Sequence, residues 1–155
     1  MTAARGDSRL ARAYVDGRMY DSSGWGGIRV AVRVGDQPPV ARFLEVNGQD
    51  ERLARLMGVE EALLLAKELG ARAVVVFCDD EWVARRLREN GEVPDHVLPT
   101  YLRVAALMNQ FRSSAVVHAS TAQPAEDARL MAAFGAAEVR ILGRPRNLSL
   151  FPALT

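Results

Sequence analysis

Two carboxylates in this sequence stand where chemistry could be done. Asp79 follows the apolar run Ala73-Val74-Val75-Val76-Phe77 with only Cys78 between, and Asp16 follows Tyr14-Val15 and precedes Gly17. Carboxylates converging from the ends of separate elements can hold hard divalent cations, which take oxygen ligands. The same residues could instead be turn or helix-capping aspartates. A few residues further on, Arg85, Arg86 and Arg88 accompany Trp82, and aromatic plus arginine is a combination suited to phosphate-backbone and stacking contacts. The alternative at helical spacing is a solvated arginine face, with Trp82, Val83 and Leu87 partly in the core.

The elements that must position these side chains can be read in order. Ala11 to Val15 reads as a strand ended by Asp16-Gly17, followed by a turn-rich stretch over 20–24. Ile28 to Val34 alternates apolar with small or charged residues, the period of a half-buried strand. Gly35 to Pro39 turns the chain into a third strand, Val40 to Val46, so the three predict an antiparallel meander. Asp50 is placed to cap a long helix that runs to Leu69 and ends at Gly70. The run Ala73 to Phe77 predicts a strand buried on both faces. Asp79-Asp80-Glu81 opens a helix reaching Glu89, and residues 90–99, with Gly91, Pro94 and Pro99, form a loop. Then come a helix over Tyr101 to Phe111, a short strand over Ser114 to His118, a helix over Ala125 to Phe134 and a further strand over Glu138 to Leu142.

Composition bounds what such a chain can be. With 155 residues, 49% apolar and 25% charged, it can bury one core. The expected organisation is a short flexible lead over 1–9, one domain over 10–142 and a tail over 143–155. The first residues lack an apolar signal segment and no membrane-length apolar run occurs, so the expectation is a cytoplasmic protein without a membrane span. Cys78, the single cysteine, excludes an internal disulfide and reads as a small core residue. The net charge of +1 supplies no global basic field, so any nucleic-acid surface must be local. Lys67 is the sole lysine among twenty basic residues. That arginine preference suits bidentate phosphate contacts, but GC-rich coding explains it as well.

The element order and the residues at its joints resemble type 1 ribonuclease H over roughly residues 11 to 132. Tyr14-Val15-Asp16-Gly17, followed by Gly24-Trp25-Gly26-Gly27, is similar to the family's first motif, an Asp-Gly strand end and a glycine-rich turn. Ala62 to Leu87 is similar, without a gap, to its helix, strand and Ser-Asp-Ser motif, with Asp79 on the motif aspartate and Cys78 and Asp80 on the flanking serines. The resemblance implies an α/β fold of ribonuclease H type: a mixed five-stranded sheet, three antiparallel strands then parallel ones, flanked by helices. Glu138 to Leu142 could add a strand beyond it. It further implies hydrolysis of the RNA strand of an RNA–DNA hybrid by water activated between two Mg2+ or Mn2+ ions, about 4 Å apart and bridging one phosphate. On that reading Asp16, Asp79 and Asp127 are catalytic metal ligands, and His118 assists proton transfer from a loop. A strand-end histidine with a backbone partner, and a first-turn acid favoured by the helix dipole, are the alternatives for His118 and Asp127. His96, beside Asp95, is given no role.

One departure bears on activity. The ungapped match places the family's helix glutamate at Arg55. A helical wheel at about 100° per residue independently sets Arg55 near the centre of an inward arc holding Ala54, Leu56, Val59, Ala62, Leu63, Leu65, Ala66 and Leu69. Glu60, Glu61 and Glu68 fall on the opposite, polar arc, which leaves Glu51, one turn earlier, as the local carboxylate able to replace the missing ligand. An inward charge must be paired, so Arg55 is expected to bond Asp16 and Asp79 where metal would otherwise sit. Snorkelling past small neighbours to solvent is the alternative.

Two functions follow. The chain is a metal-dependent ribonuclease H-type endonuclease impaired by loss of the helix glutamate, or an inactive pseudo-nuclease that binds nucleic acid or a protein. The C-terminal segment could also join a sheet edge, within one chain or between copies in a homo-oligomer.

Overall fold

A computed structural model describes residues 9–19, 25–47, 50–89 and 91–119. Asp127, the expected helix over Ala125 to Phe134, the strand over Glu138 to Leu142 and the tail lie outside the described residues.

The described elements are β1 (Leu10–Met19), β2 (Trp25–Val34), β3 (Val40–Asn47), α1 (Glu51–Glu68), β4 (Ala73–Cys78), α2 (Glu81–Glu89), α3 (Leu98–Met108) and β5 (Ser113–His118). They build a sheet of order β3-β2-β1-β4-β5. β1 pairs antiparallel with β2, β2 antiparallel with β3, and β4 lies parallel to both β1 and β5. This is the expected mixed five-stranded ribonuclease H-like sheet.

Strand alternation sorts the side chains. Ala11, Ala13 and Val15 of β1, with Val30 and Val32 of β2 and Val76 of β4, enter the main core with α1, α2 and α3. Tyr14, Ala31 and Phe77 form a smaller cluster on the reverse face, where the Tyr14 and Phe77 rings stack with centroids 6.2 Å apart.

α1 starts and stops where its sequence signals say. Asp50 accepts hydrogen bonds from the Arg52 and Leu53 amides, satisfying two orphan donors of the first turn. At the other end Gly70 takes φ +86°, its amide donates to the Lys67 carbonyl and that of Ala71 to the Ala66 carbonyl, the paired bonds of a Schellman stop. Between them, Gly58 allows close approach to the sheet. A Cβ there would lie 2.7 Å from Val15 Cγ1 and closer still to Ile28 Cγ2.

Expected boundaries need correction: β1 does not end at Asp16-Gly17 but runs on to Met19, because β2 stays paired with it there. α3 begins at Leu98, inside the expected loop, because Pro99 occupies its first turn, where a missing amide hydrogen costs nothing. It ends at Met108, so Phe111 is buried from a bend instead of a helix. The polar arc of α1 is partly buried, with Glu68 left exposed. Glu61 is only 2% exposed and bonds Arg42 of β3 at 2.9 Å, while Glu60 bonds Arg103 of α3 at 2.8 Å. Elements on either side of α1 bring cations over its glutamates, which no pattern within the helix encodes.

Candidate active site

The parallel pairing of β1 with β4 places Val15 opposite Cys78, and the Asp79 amide donates to the Val15 carbonyl at 3.1 Å. Asp16-Gly17, inside β1, and Asp79, just past the end of β4, are therefore neighbours on adjacent strands. Asp79 is tied in further by the Gly17 amide, which donates to its Oδ2 at 3.2 Å.

Arg55 comes in from α1. Its Nε donates to Asp79 Oδ1 at 2.8 Å and its Nη2 to Asp79 Oδ2 at 3.2 Å, a bidentate fork of the strong, charge-assisted kind. Nη2 also approaches the Gly17 carbonyl at 3.4 Å, and Nη1 the Glu51 carbonyl at 3.3 Å. The arginine side chain is 16% exposed and that of Asp79 28%. Burial works against the charge on Arg55, but the hydrogen bond and field of Asp79, aided by Asp80 and Glu51, outweigh it and raise the guanidinium pKa. Gly17 makes the seat possible, since a Cβ there would stand 2.9 Å from Ile28 Cδ1 and 3.2 Å from Arg55 Cζ.

The expected second pairing of Arg55, to Asp16, is not formed. Asp16 shares the reverse face of the sheet with Tyr14, and its cross-strand partner in β2 is Arg29. Arg29 Nε donates to Asp16 Oδ1 at 2.8 Å and Nη2 to Oδ2 at 2.5 Å. Asp16 is the main cause of a raised pKa for Arg29, with burial opposing and Asp79 adding to it. Each of the two carboxylates is thus held by its own arginine, one from the helix and one from the neighbouring strand.

The remaining expected residues are placed as follows. Glu51 lies in the first turn of α1 with its Oε2 3.7 Å from Arg55 Nη1, so it faces the arginine. His118 closes β5, half-buried and opposite Cys78 in the β4–β5 register. Cys78 is fully buried, and burial pushes its thiol up to about 12, as suits a core residue. Asp80 caps α2 through bonds from the Trp82 and Val83 amides. Arg85 and Arg88 are engaged by Glu81 and Glu89. His96 Nε2 lies 2.6 Å from Asp50 Oδ2, tying the loop before α3 to the cap of α1. Asp50 is pushed up by burial but drawn down more by His96 and the Leu53 and Arg52 amides, so its pKa is lowered. Among the described residues no group of three or more His, Cys, Asp or Glu is arranged to hold a metal ion. Nor is any described helix long and apolar enough to cross a membrane.

Arg29 and Gly58 were not singled out from the sequence. Arg29 carried a signal in its position on the polar alternation of β2. Gly58 carried one as a glycine interrupting an otherwise continuous helix.

The fold has counterparts among known structures. Ribonuclease H1 from the halophilic archaeon Halobacterium salinarum superposes with a TM-score of 0.64 at 19% identity, covering 79% of this chain and 92% of that one. The N-terminal ribonuclease H domain of a Mycobacterium tuberculosis protein gives 0.65 at 21% identity, covering 79% and 94%. LC11 ribonuclease H1, from a compost metagenome and solved with an RNA/DNA hybrid, gives 0.62 at 16% identity, covering 79% and 91%. No curated protein sequence matches the chain. The reverse transcriptase-like family model matches residues 14–126. With most of its length inside that match and the sheet order of its structural counterparts, the chain belongs to the reverse transcriptase-like family and has the ribonuclease H-like fold.

Proposed function

We propose that this chain is a ribonuclease H-like nucleic-acid-binding module in which arginine has replaced metal at the old catalytic position. The carrying observation is the pair of bidentate arginine–carboxylate contacts, Arg55 on Asp79 and Arg29 on Asp16. Two divalent cations need several free carboxylate oxygens converging from separate elements. Here the helix position offers a cation, and both Asp16 and Asp79 have their oxygens engaged. The described residues do not fit a Mg2+ or Mn2+ pair.

Binding to an RNA–DNA hybrid or another nucleic acid is supported by kinship with proteins solved on such hybrids and by the arginines beside this end of the sheet. Nuclease activity is the rival reading, and it is favoured by Glu51, whose carboxylate lies one turn from Arg55 and 3.7 Å from it. On that rival reading Arg55 and Arg29 would have to release Asp79 and Asp16, and Glu51 would join these two carboxylates as a ligand, Asp127 and His118 keeping the roles the resemblance implies.

A labelled RNA–DNA hybrid, incubated with Mg2+ and then with Mn2+, separates the two. The expected result is a complex that shifts in a gel without cleavage. Cleavage abolished by Asp79→Asn would overturn the proposal.

A further inference from the structure

The polar end of the sheet continues past Asp79 onto the first turns of two helices. Arg52 lies one turn before Arg55 on α1, and Trp82 lies three residues after Asp79 at the start of α2. The guanidinium carbon of Arg52 lies 4.8 Å from the Trp82 ring centroid, and that of Arg86 lies 5.9 Å from it. Both distances are within reach of the ring quadrupole.

These two arginines differ from their neighbours. Arg85 bonds Glu81, Arg88 bonds Glu89, Arg55 bonds Asp79 and Arg29 bonds Asp16. Neither Arg52 nor Arg86 is paired with a carboxylate among the described residues, and Arg86 Nε is buried without a hydrogen-bond partner. The nearby acids are already engaged. Asp50 is held by the α1 amides and His96, Glu51 faces Arg55, and Asp80 is held by the α2 amides. Gly91 leaves room for the Arg86 guanidinium, which a Cβ at that position would strike.

We infer that Arg52 and Arg86, steadied against Trp82, form a binding site for the phosphodiester backbone of a nucleic acid. The inference rests on the nucleic-acid reading above and changes its residues. Contact passes from Arg85 and Arg88, whose charges are matched, to Arg52. Trp82 serves as a platform for guanidinium groups, so its role is to hold cations and not to stack on a base. A guanidinium lying over a ring keeps its N–H donors in its own plane, where they can meet two phosphate oxygens.

The test measures binding of a short fluorescein-labelled RNA–DNA hybrid, and of its separate strands, across a series of salt concentrations. Each phosphate contact contributes about 0.7 to 0.9 to the slope of log affinity against log salt. Arg52→Ala and Arg86→Ala should each reduce the slope by about that much, whereas Arg112→Ala, at the far end of the sheet, should leave it unchanged. In a Trp25→Phe background, Trp82 emission should change as hybrid is added. Circular dichroism checks that the Arg86 variant is folded, and Arg52, which is exposed, carries the test independently. Normal binding with an unaltered slope in both variants would overturn this assignment alone. Absence of binding by the unaltered chain would overturn the nucleic-acid reading beneath it and this assignment with it.

Discussion

Arg55 and Asp79, 24 residues apart in sequence, are joined by two hydrogen bonds, Nε to Oδ1 and Nη2 to Oδ2, at 2.8 and 3.2 Å. The pair fastens α1 to the end of β4 at a point where Asp79 also accepts from the Gly17 amide. Removing the guanidinium leaves a partly buried carboxylate with one donor. Arg55→Ala should therefore lower stability by about 2 kcal/mol, the usual size of a charged hydrogen-bonded contact. Arg55→Lys should recover only part of this, since an ammonium cannot bond both oxygens in one plane. Urea unfolding midpoints of the three proteins check the order.

Arg55→Glu inverts the charge at the same point. In EDTA two carboxylates should repel across the end of the sheet and lower the melting temperature. Magnesium should then raise it in proportion to the logarithm of ligand concentration, as for any ligand of the native state. The unaltered chain should show no such response. A magnesium-dependent rise in the unaltered chain, matched by tight binding in calorimetry, would return the site to metal chemistry.

Gly58 tests the seating of α1. Alanine is the better helix former by about 1 kcal/mol, yet its methyl would meet Val15 and Ile28. Gly58→Ala should destabilise by about 1–3 kcal/mol, the range for overpacking a tight contact. An unchanged or raised unfolding midpoint would show that the helix can lift off the sheet at little cost.

Two groups give opposite pH signatures. Asp50 has a lowered pKa in the fold, so its contribution is present above the ordinary carboxylate range and is lost as pH falls through the folded value. Asp50→Ala should cost about 1 kcal/mol at neutral pH, and the difference should shrink on acidification. Cys78 has a raised pKa, from 9.0 to about 12. The folded state therefore holds a proton that the unfolded chain releases, and stability falls as pH rises between those values. Cys78→Ala should remove that part of the alkaline loss, measured as unfolding midpoints from neutral to alkaline pH.

Much of the scaffold was legible because its signals are local. Asp50 and Gly70 mark the ends of α1 through cap chemistry, the alternation of Ile28 to Val34 marks β2, and the wheel placed Arg55 on the inward side of α1. What was not legible depends on register between distant elements. Asp16 finds Arg29 because β1 and β2 pair with those residues opposite, and neither segment alone specifies that alignment. Glu60 and Glu61 are buried because α3 and β3 each bring an arginine across α1. Within the helix they look like ordinary surface acids. Arg52 escaped notice for the same reason, its partner Trp82 being supplied by another helix.

The doubled arginine–aspartate arrangement also alters the order in which partners can arrive. A cluster of bare carboxylates repels a phosphate chain until cations fill it, which makes docking conditional on metal. At this end of the sheet the negative charge of Asp16 and Asp79 is balanced from within the chain before any ion or ligand comes near. On the proposed reading, recognition would not wait on metal supply, and a nucleic acid would meet the same surface in chelator as in magnesium.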